Sequence, residues 1–256
     1  MTSSIIDTHA HLDEGRFAGD LEGVLQRAQE ARVTRIICVG SDLTSSRRAV
    51  ALAGDLPWLY AAVGVHPHDA ADVVPRTWDG LRILAASSRV VAWGEIGLDF
   101  HYDFSPRDCQ KNVFRKQLEI AGELNLPVII HDREAHQEVL DILKDFSGLK
   151  GVVIHCFSGD QGVADECLKR GYYLGIGGTL TYPKNTILQE VVRKAPLEHI
   201  LLETDCPYLA PQPWRGKRNE PAYLPAVAEE IAKLKNITPA DAAAATTANA
   251  KKFFNL

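Results

Sequence analysis

The 256-residue sequence predicts an α/β protein of the (β/α)8 TIM-barrel type, and three observations carry that prediction. Eight short, nearly continuous apolar runs rich in β-branched residues recur along the chain, as parallel strands covered by helices should. Segments with the 3.6-residue apolar period of amphipathic helices lie between them. Eight strand–helix units of about 32 residues each use up the length with little left over. One domain spanning 1–256 is therefore expected.

The runs follow in order. The first is IIDTH (5–9), the second RIICVG (35–40), the third LYAAVGV (59–65) and the fourth VVAWGEIG (90–97). PVIIH (127–131), GVVIHC (151–156), YYLGIGG (172–178) and ILLETD (200–205) complete the set. Helical periodicity is clearest in LEGVLQRAQEA, QKNVFRKQLEIAGELN, HQEVLDILKDF and LPAVAEEIAKLK. Asn125 and Pro127 separate the second of these helices from its next strand, and Ser147-Gly148 separate the third from its own. An open doubly wound sheet is the alternative fold, but no Gly-x-Gly-x-x-Gly follows the first strand. APQPWRGKRNEP (210–221), with three prolines and no periodicity, reads as a loop.

Composition narrows the function classes. A formal charge of −5 gives no bulk attraction to nucleic acid or an anionic membrane, so a polyanion would need a local basic patch or bound cations. Five cysteines, an odd number without CxxC spacing, point away from a disulfide framework and toward a reducing cytoplasm. No charged n-region precedes an apolar stretch at the N-terminus, and no apolar run nears the ~18–20 residues that cross a bilayer. No membrane partner and a monomeric state are expected.

In a barrel, strands send alternate side chains inward, and reactive groups gather at the strands' C-terminal ends. Here nearly every run ends in a histidine or a carboxylate: His9 and His11, His66 and His68, Glu95 and Asp99, His131, His155, Glu203 and Asp205. Any one of these histidines alone reads best as an ordinary hydrogen-bonding residue. The joint pattern reads as a site for divalent metal, because carboxylates gathered in a barrel mouth without a cation carry a large desolvation cost. Residues at i and i+2 on a strand share a face, so His9 and His11 can grip one ion. Six donors suffice for two ions if a carboxylate bridges, and Glu95 lies on the middle strand of the set. The mixed donor set suits Zn, Mn, Fe, Co or Ni; Mg prefers an all-oxygen shell.

The motifs DTHAHLD, GVHPH, GEIGLDF, PVIIHDREA, HCFSG, ETDCPYLAP and RGKRNEP, in this order, resemble those of the TatD family of metal-dependent deoxyribonucleases, within the amidohydrolase-like barrels. The likeness runs from about residue 5 to the C-terminus. It implies that His9, His11, Glu95 and Asp205 hold one metal, and that Glu95, His131 and His155 hold the second. Phe100 stands where the family often has Tyr, and Cys206 where Ser is frequent; neither is a ligand position.

Such a site suits hydrolysis of nucleic-acid phosphodiesters, and a 3′→5′ exonuclease acting on ends or single strands of DNA, or on RNA, is expected. Asp205 is the expected general base, with Glu203 as a proton-handling residue or one that only orients a ligand. His66 is read as a phosphate or leaving-group contact, against a hydrogen-bonded loop histidine. Arg133 could reach a phosphate oxygen or pair with Asp132 or Glu134. Arg215, Lys217 and Arg218 supply fixed positive charge, against a solvated charge run. Trp214 or Tyr208 could stack a base or simply pack. Cys156 and Cys206, one residue past a ligand, should point away from it. Two other functions use the same residues: hydrolysis of a different bond (an amidohydrolase, or a deacylase of D-aminoacyl-tRNA) and metal binding without turnover. The first is weakened by the lack of a lysine in VVAWGEIG, where many amidohydrolases place a bridging modified lysine.

Overall fold

The computed structural model describes residues 4–13 and 15–256, so positions 1–3 and 14 of the expected 1–256 domain lie outside the described residues. All eight apolar runs form strands: β1 (Ile5–Ala10), β2 (Val33–Val39), β3 (Leu59–Val63), β4 (Val90–Asp99), β5 (Val128–Arg133), β6 (Val152–Ile154), β7 (Tyr173–Ile176) and β8 (Ile200–Leu202). A helix follows each: α1 (Leu21–Glu30), α2 (Leu43–Asp55), α3 (Pro75–Ala85), α4 (Arg107–Glu123), α5 (His136–Lys144), α6 (Gln161–Lys169), α7 (Thr186–Lys194) and α8 (Leu224–Lys235). A further helix, α9 (Pro239–Phe254), closes the chain. Sheet order equals chain order, β1 through β8, which is the connectivity of a (β/α)8 barrel.

The chain packs as two compact units, residues 38–158 and residues 1–37 with 159–256. In the unit 38–158, β3, β4, β5 and β6 pair in parallel. α2 starts at a reciprocal cap: Asp42 accepts the Ser45 N–H at 2.6 Å, and the Ser45 hydroxyl accepts the Asp42 N–H at 2.9 Å. α4 packs on β4, with Trp93, Phe114 and Leu118 fully buried. Buried among them, Gln117 of α4 accepts the Val65 N–H at 2.7 Å and the Trp93 indole N–H at 3.3 Å, and donates to the Val65 carbonyl at 2.9 Å. A single side chain thus pairs the backbone just past β3, next to His66.

In the other unit, β7 and β8 pair in parallel, and a parallel bridge joins Ala10 to Cys206. α9 packs on α8, β1 and β8. It opens on Thr238, whose hydroxyl accepts the Asp241 N–H at 3.1 Å, with Pro239 at the first helical position.

The strand ends differ from the expected ones in an informative way. β4 runs on to Asp99 and β5 to Arg133, whereas β6 stops at Ile154 and β8 at Leu202. Cys156 (φ +46°) and Asp205 (φ +55°) adopt left-handed backbone, which an extended strand cannot absorb. His155 therefore sits in a turn, and Glu203 and Asp205 in irregular backbone, just past their strands. Among the described residues, no helix is long and apolar enough to cross a membrane.

Gln117→Ala removes three hydrogen bonds from groups buried in the same unit. A loss of about 1–3 kcal/mol is expected, read as a lower urea midpoint; an unchanged midpoint contradicts the pairing role.

Candidate metal centre

Each unit carries its own cluster of imidazoles and carboxylate. In the unit 38–158 the hub is Glu95 on β4, only 3% exposed. Its Oε1 lies 2.8 Å from His131 Nδ1, 3.2 Å from His155 Nε2 and 3.7 Å from His66 Nε2. Gly97 lets β4 lie against β5 here: its φ is +144°, and a Cβ would run into the His131 carbonyl.

The other face of His131 meets Asp99, whose Oδ2 is 3.2 Å from His131 Nε2 and 2.8 Å from His68 Nε2. Burial alone would raise the Asp99 carboxyl. Hydrogen bonds from His131, the Tyr102 N–H and His68 outweigh it and hold the group well below the usual carboxylate range. Burial likewise works against a charged His131, and the bonds to Asp99 and Glu95 override it, raising this imidazole. With a cation bound, an ionised Asp99 accepting Nε2–H would leave the Nδ1 lone pair of a neutral His131 for the metal, the tautomer a metal ligand needs. His66 has the opposite arrangement. Its Nδ1 accepts the His68 N–H at 3.1 Å, so the neutral ring carries its proton on Nε2, toward Glu95. That makes His66 a donor rather than a ligand.

In the other unit, β1 delivers His9, fully buried, and just past its end His11, 8% exposed. Their Nε2 atoms are 3.2 Å apart, and Asp205 Oδ1 lies 3.4 Å from His11 Nε2 and 3.9 Å from His9 Nε2. The backbones interlock: Asp205 N–H donates to the His9 carbonyl at 2.9 Å, and His11 N–H to the Cys206 carbonyl at 2.8 Å. Beneath them, fully buried Asp7 accepts the Thr204 N–H (3.0 Å), the Thr204 hydroxyl (2.6 Å) and the His9 N–H (3.3 Å). Burial pushes the Asp7 carboxyl up to about 7, against the bonds from Thr204 and His9. Glu203, 1% exposed, lies over Gly175, where any Cβ would collide with its carboxylate.

The donor chemistry fits divalent metal in both units. Ligand atoms of His9, His11 and Asp205 all lie within 4.8 Å of one another, and Glu95 Oε1 lies 2.8 Å from His131 Nδ1 and 3.2 Å from His155 Nε2. Imidazole nitrogens and a carboxylate oxygen at that spacing can turn their lone pairs to one cation.

The proposed substrate contacts are dispersed. Arg218 forms a two-pronged pair with Asp20, both distances 2.7 Å, and donates to the Arg16 carbonyl, so its guanidinium is engaged by the fold. Arg215 is exposed over the Tyr182 ring at 4.4 Å, and Lys217 is exposed. Arg133 pairs with neither neighbour; its guanidinium lies 4.8 Å over the Tyr102 ring, while Asp132 takes His136 and Glu134 takes His101. Trp214 stacks on Tyr223 at 4.1 Å, the packing arrangement, and Tyr208 stays 44% exposed, edge-on to His11 at 6.2 Å. Cys206 is buried in the core. Sequence reasoning gave no role to Asp7 or Asp99, and it passed over Tyr102 and Phe104. For the two carboxylates a signal existed, since each shares strand parity with a ligand.

The profile of the TatD-related DNase family matches residues 6–255. The chain belongs to that family. It is 46% identical over 254 residues, 98% of its length and 99% of the relative's, to an uncharacterized metal-dependent hydrolase, YabD, of Bacillus subtilis. A Citrobacter rodentium protein named 3′-5′ ssDNA/RNA exonuclease TatD is 40% identical, with 98% of each chain covered. The crystal structure of YjjV, a TatD homologue from Escherichia coli, superposes with a TM-score of 0.94 at 35% identity, covering 98% of both chains. The fold is thus a (β/α)8 barrel, and the chain is a metal-dependent hydrolase of ester bonds.

Asp7→Ala and Asp99→Ala should each weaken Mn²⁺ binding by about 10- to 100-fold, as loss of a ligand's hydrogen-bond partner does. Titration calorimetry reads it, with the exposed Glu22→Ala as the unchanged control.

Proposed function

We propose that the chain is a 3′→5′ exonuclease acting on ends of single-stranded DNA or RNA, working in the cytoplasm as a monomer with two divalent cations. The observation carrying this reading is the pair of donor clusters, His9–His11–Asp205 and Glu95–His131–His155, in a chain 40% identical to a protein named as a single-strand exonuclease. The first cluster would hold one cation and the second the other. Divalent cations, when bound, make water acidic enough to attack and neutralise charge growing on the phosphoryl oxygens.

The remaining steps belong to side chains. Asp205, partly exposed, accepts the proton of the attacking water. Buried Glu203, two residues before it, can hold that proton next. His66, with its proton on Nε2, donates to a phosphate oxygen or to the leaving oxygen. Asp99 and Asp7 keep His131 and His9 in place and take no part in bond breaking. Arg215, Lys217 and Arg133 offer outward positive charge for the strand; Arg218 supports its loop through Asp20.

Purified protein should contain up to two equivalents of metal by elemental analysis. It should shorten labelled single-stranded DNA or RNA from the 3′ end with added Mn²⁺ or Mg²⁺, stop in EDTA, and leave D-aminoacyl-tRNA intact. Asp205→Asn should keep the fold and lose ~10²-fold or more in rate. Glu95→Gln should lose the metal equivalent held by its own cluster with His131 and His155. A protein with no bound metal and no metal-stimulated cleavage refutes the reading. Unchanged turnover in Asp205→Asn removes that residue as the base.

A further inference from the structure

The loop from Phe100 to Pro106, between β4 and α4, is tied down at both of its ends by side-chain hydrogen bonds. Buried Gln110 accepts the Asp99 N–H at 2.9 Å and donates to the carbonyls of Asp99 (3.0 Å) and Ser105 (2.8 Å). Asp99 Oδ1 accepts the N–H groups of His101 at 3.0 Å and Tyr102 at 2.9 Å. The Ser105 hydroxyl donates to the His68 carbonyl at 2.7 Å and accepts the Ala71 N–H at 3.0 Å. Arg107 clamps Asp103 and donates to the Phe100 carbonyl at 3.0 Å. A loop held this way loses little freedom when something docks on it.

At its tip the loop turns two aromatic rings to solvent. Tyr102 is 47% exposed and Phe104 68% exposed. They stack on each other with centroids 5.3 Å apart and planes 22° from parallel. His68 meets both edge-on, at 5.6 Å and 4.7 Å, and the Arg133 guanidinium lies over Tyr102. The same Asp99 carboxylate that orients His131 toward Glu95 holds the loop backbone, so the rings keep a set position beside the Glu95 cluster.

We propose that the Tyr102–Phe104 pair is a stacking platform for the unpaired terminal base of a nucleic-acid strand; this rests on the nuclease reading above. Histidines and an arginine ring the pair, which suits a base attached to a phosphate better than an apolar protein face. Stacking is also indifferent to base identity, because every base has a π face, and it is closed to a base still stacked within a duplex. The platform therefore selects single-stranded ends without reading sequence.

The test compares two oligonucleotides, one normal and one whose 3′-terminal nucleotide lacks its base, on wild type, Phe104→Ala, Tyr102→Ala/Phe104→Ala and Phe104→Trp. Wild type should prefer the normal end by about tenfold or more in kcat/KM, chiefly through KM. That preference should fall toward one in both alanine variants and persist in Phe104→Trp. In parallel, an oligonucleotide ending in 2-aminopurine, with a non-hydrolysable terminal linkage and added Mn²⁺, reports stacking as quenched fluorescence without turnover. Quenching should be lost in the alanine variants, with circular dichroism unchanged. Alanine variants that keep the full preference and full quenching overturn the platform and leave the nuclease reading standing. Absence of all cleavage refutes the nuclease reading, and the fluorescence then decides the platform alone: quenching that depends on Phe104 supports it, and no quenching overturns it.

Discussion

The structure around the candidate centre turns on one buried carboxylate and the groups that surround it. Glu95, 3% exposed, has its Oε1 within 4 Å of three imidazoles. A lone ionised carboxylate at that depth is costly, and the remedy is compensation by positive charge and hydrogen bonds. Neutral imidazoles compensate only partly unless a proton or a cation joins them. The features around Glu95 serve that requirement: Gly97 allows β4 to approach β5, Gln117 secures the backbone that leads to His66, and Asp99 sets the His131 tautomer. The local fold thus gathers around Glu95 the donor types that a divalent cation takes.

The other unit solves a related problem by different means. His9 and His11 leave one strand and Asp205 follows another, so their mutual distances depend on how β1 and the β8 turn interlock. Asp7 supplies the lock by accepting three donors from Thr204 and His9. In both units, then, a buried carboxylate that is not a proposed ligand lies behind the histidines that are. Asp99 is kept ionised by its donors, whereas burial raises Asp7 toward neutrality. The contrast follows from the partners: two imidazoles bond to Asp99, whereas Asp7 takes only backbone and hydroxyl donors and has the Glu203 carboxylate nearby.

Strands and donors were legible in the sequence because both obey short-range rules. Eight apolar runs mark eight strands; His9, His11, His155 and Asp205 stand at or just past strand ends, and Glu95 and His131 lie within β4 and β5, which run on beyond them. The exact ends were less legible, since the left-handed backbone at Cys156 and Asp205 comes from single non-glycine residues set in or beside an apolar run. The alanine-rich α9 was not singled out, because its many small residues blur the contrast between its faces. Partner choice over long separations was out of reach. Nothing local reveals that Arg218 pairs with Asp20, 198 positions away, or that Trp214 stacks on Tyr223. The exposure of Tyr102 and Phe104 depends on Gln110 and Ser105 holding a loop open, and pattern alone carries no trace of that.

These placements change where affinity for a polyanion comes from. Binding long duplex relies on many cationic contacts to phosphates, and a chain of net charge −5 has few to give. Of the basic loop, Arg218 is engaged by Asp20, which leaves Arg215 and Lys217 facing outward. A site of this kind gains more from two local sources, bound cations at the scissile phosphate and a ring pair for the adjoining base. Neither source requires tracking along a strand, and the second is lost when bases are paired. Under the proposed nuclease reading, the net negative charge and the exposed rings point the same way, toward a short unpaired end.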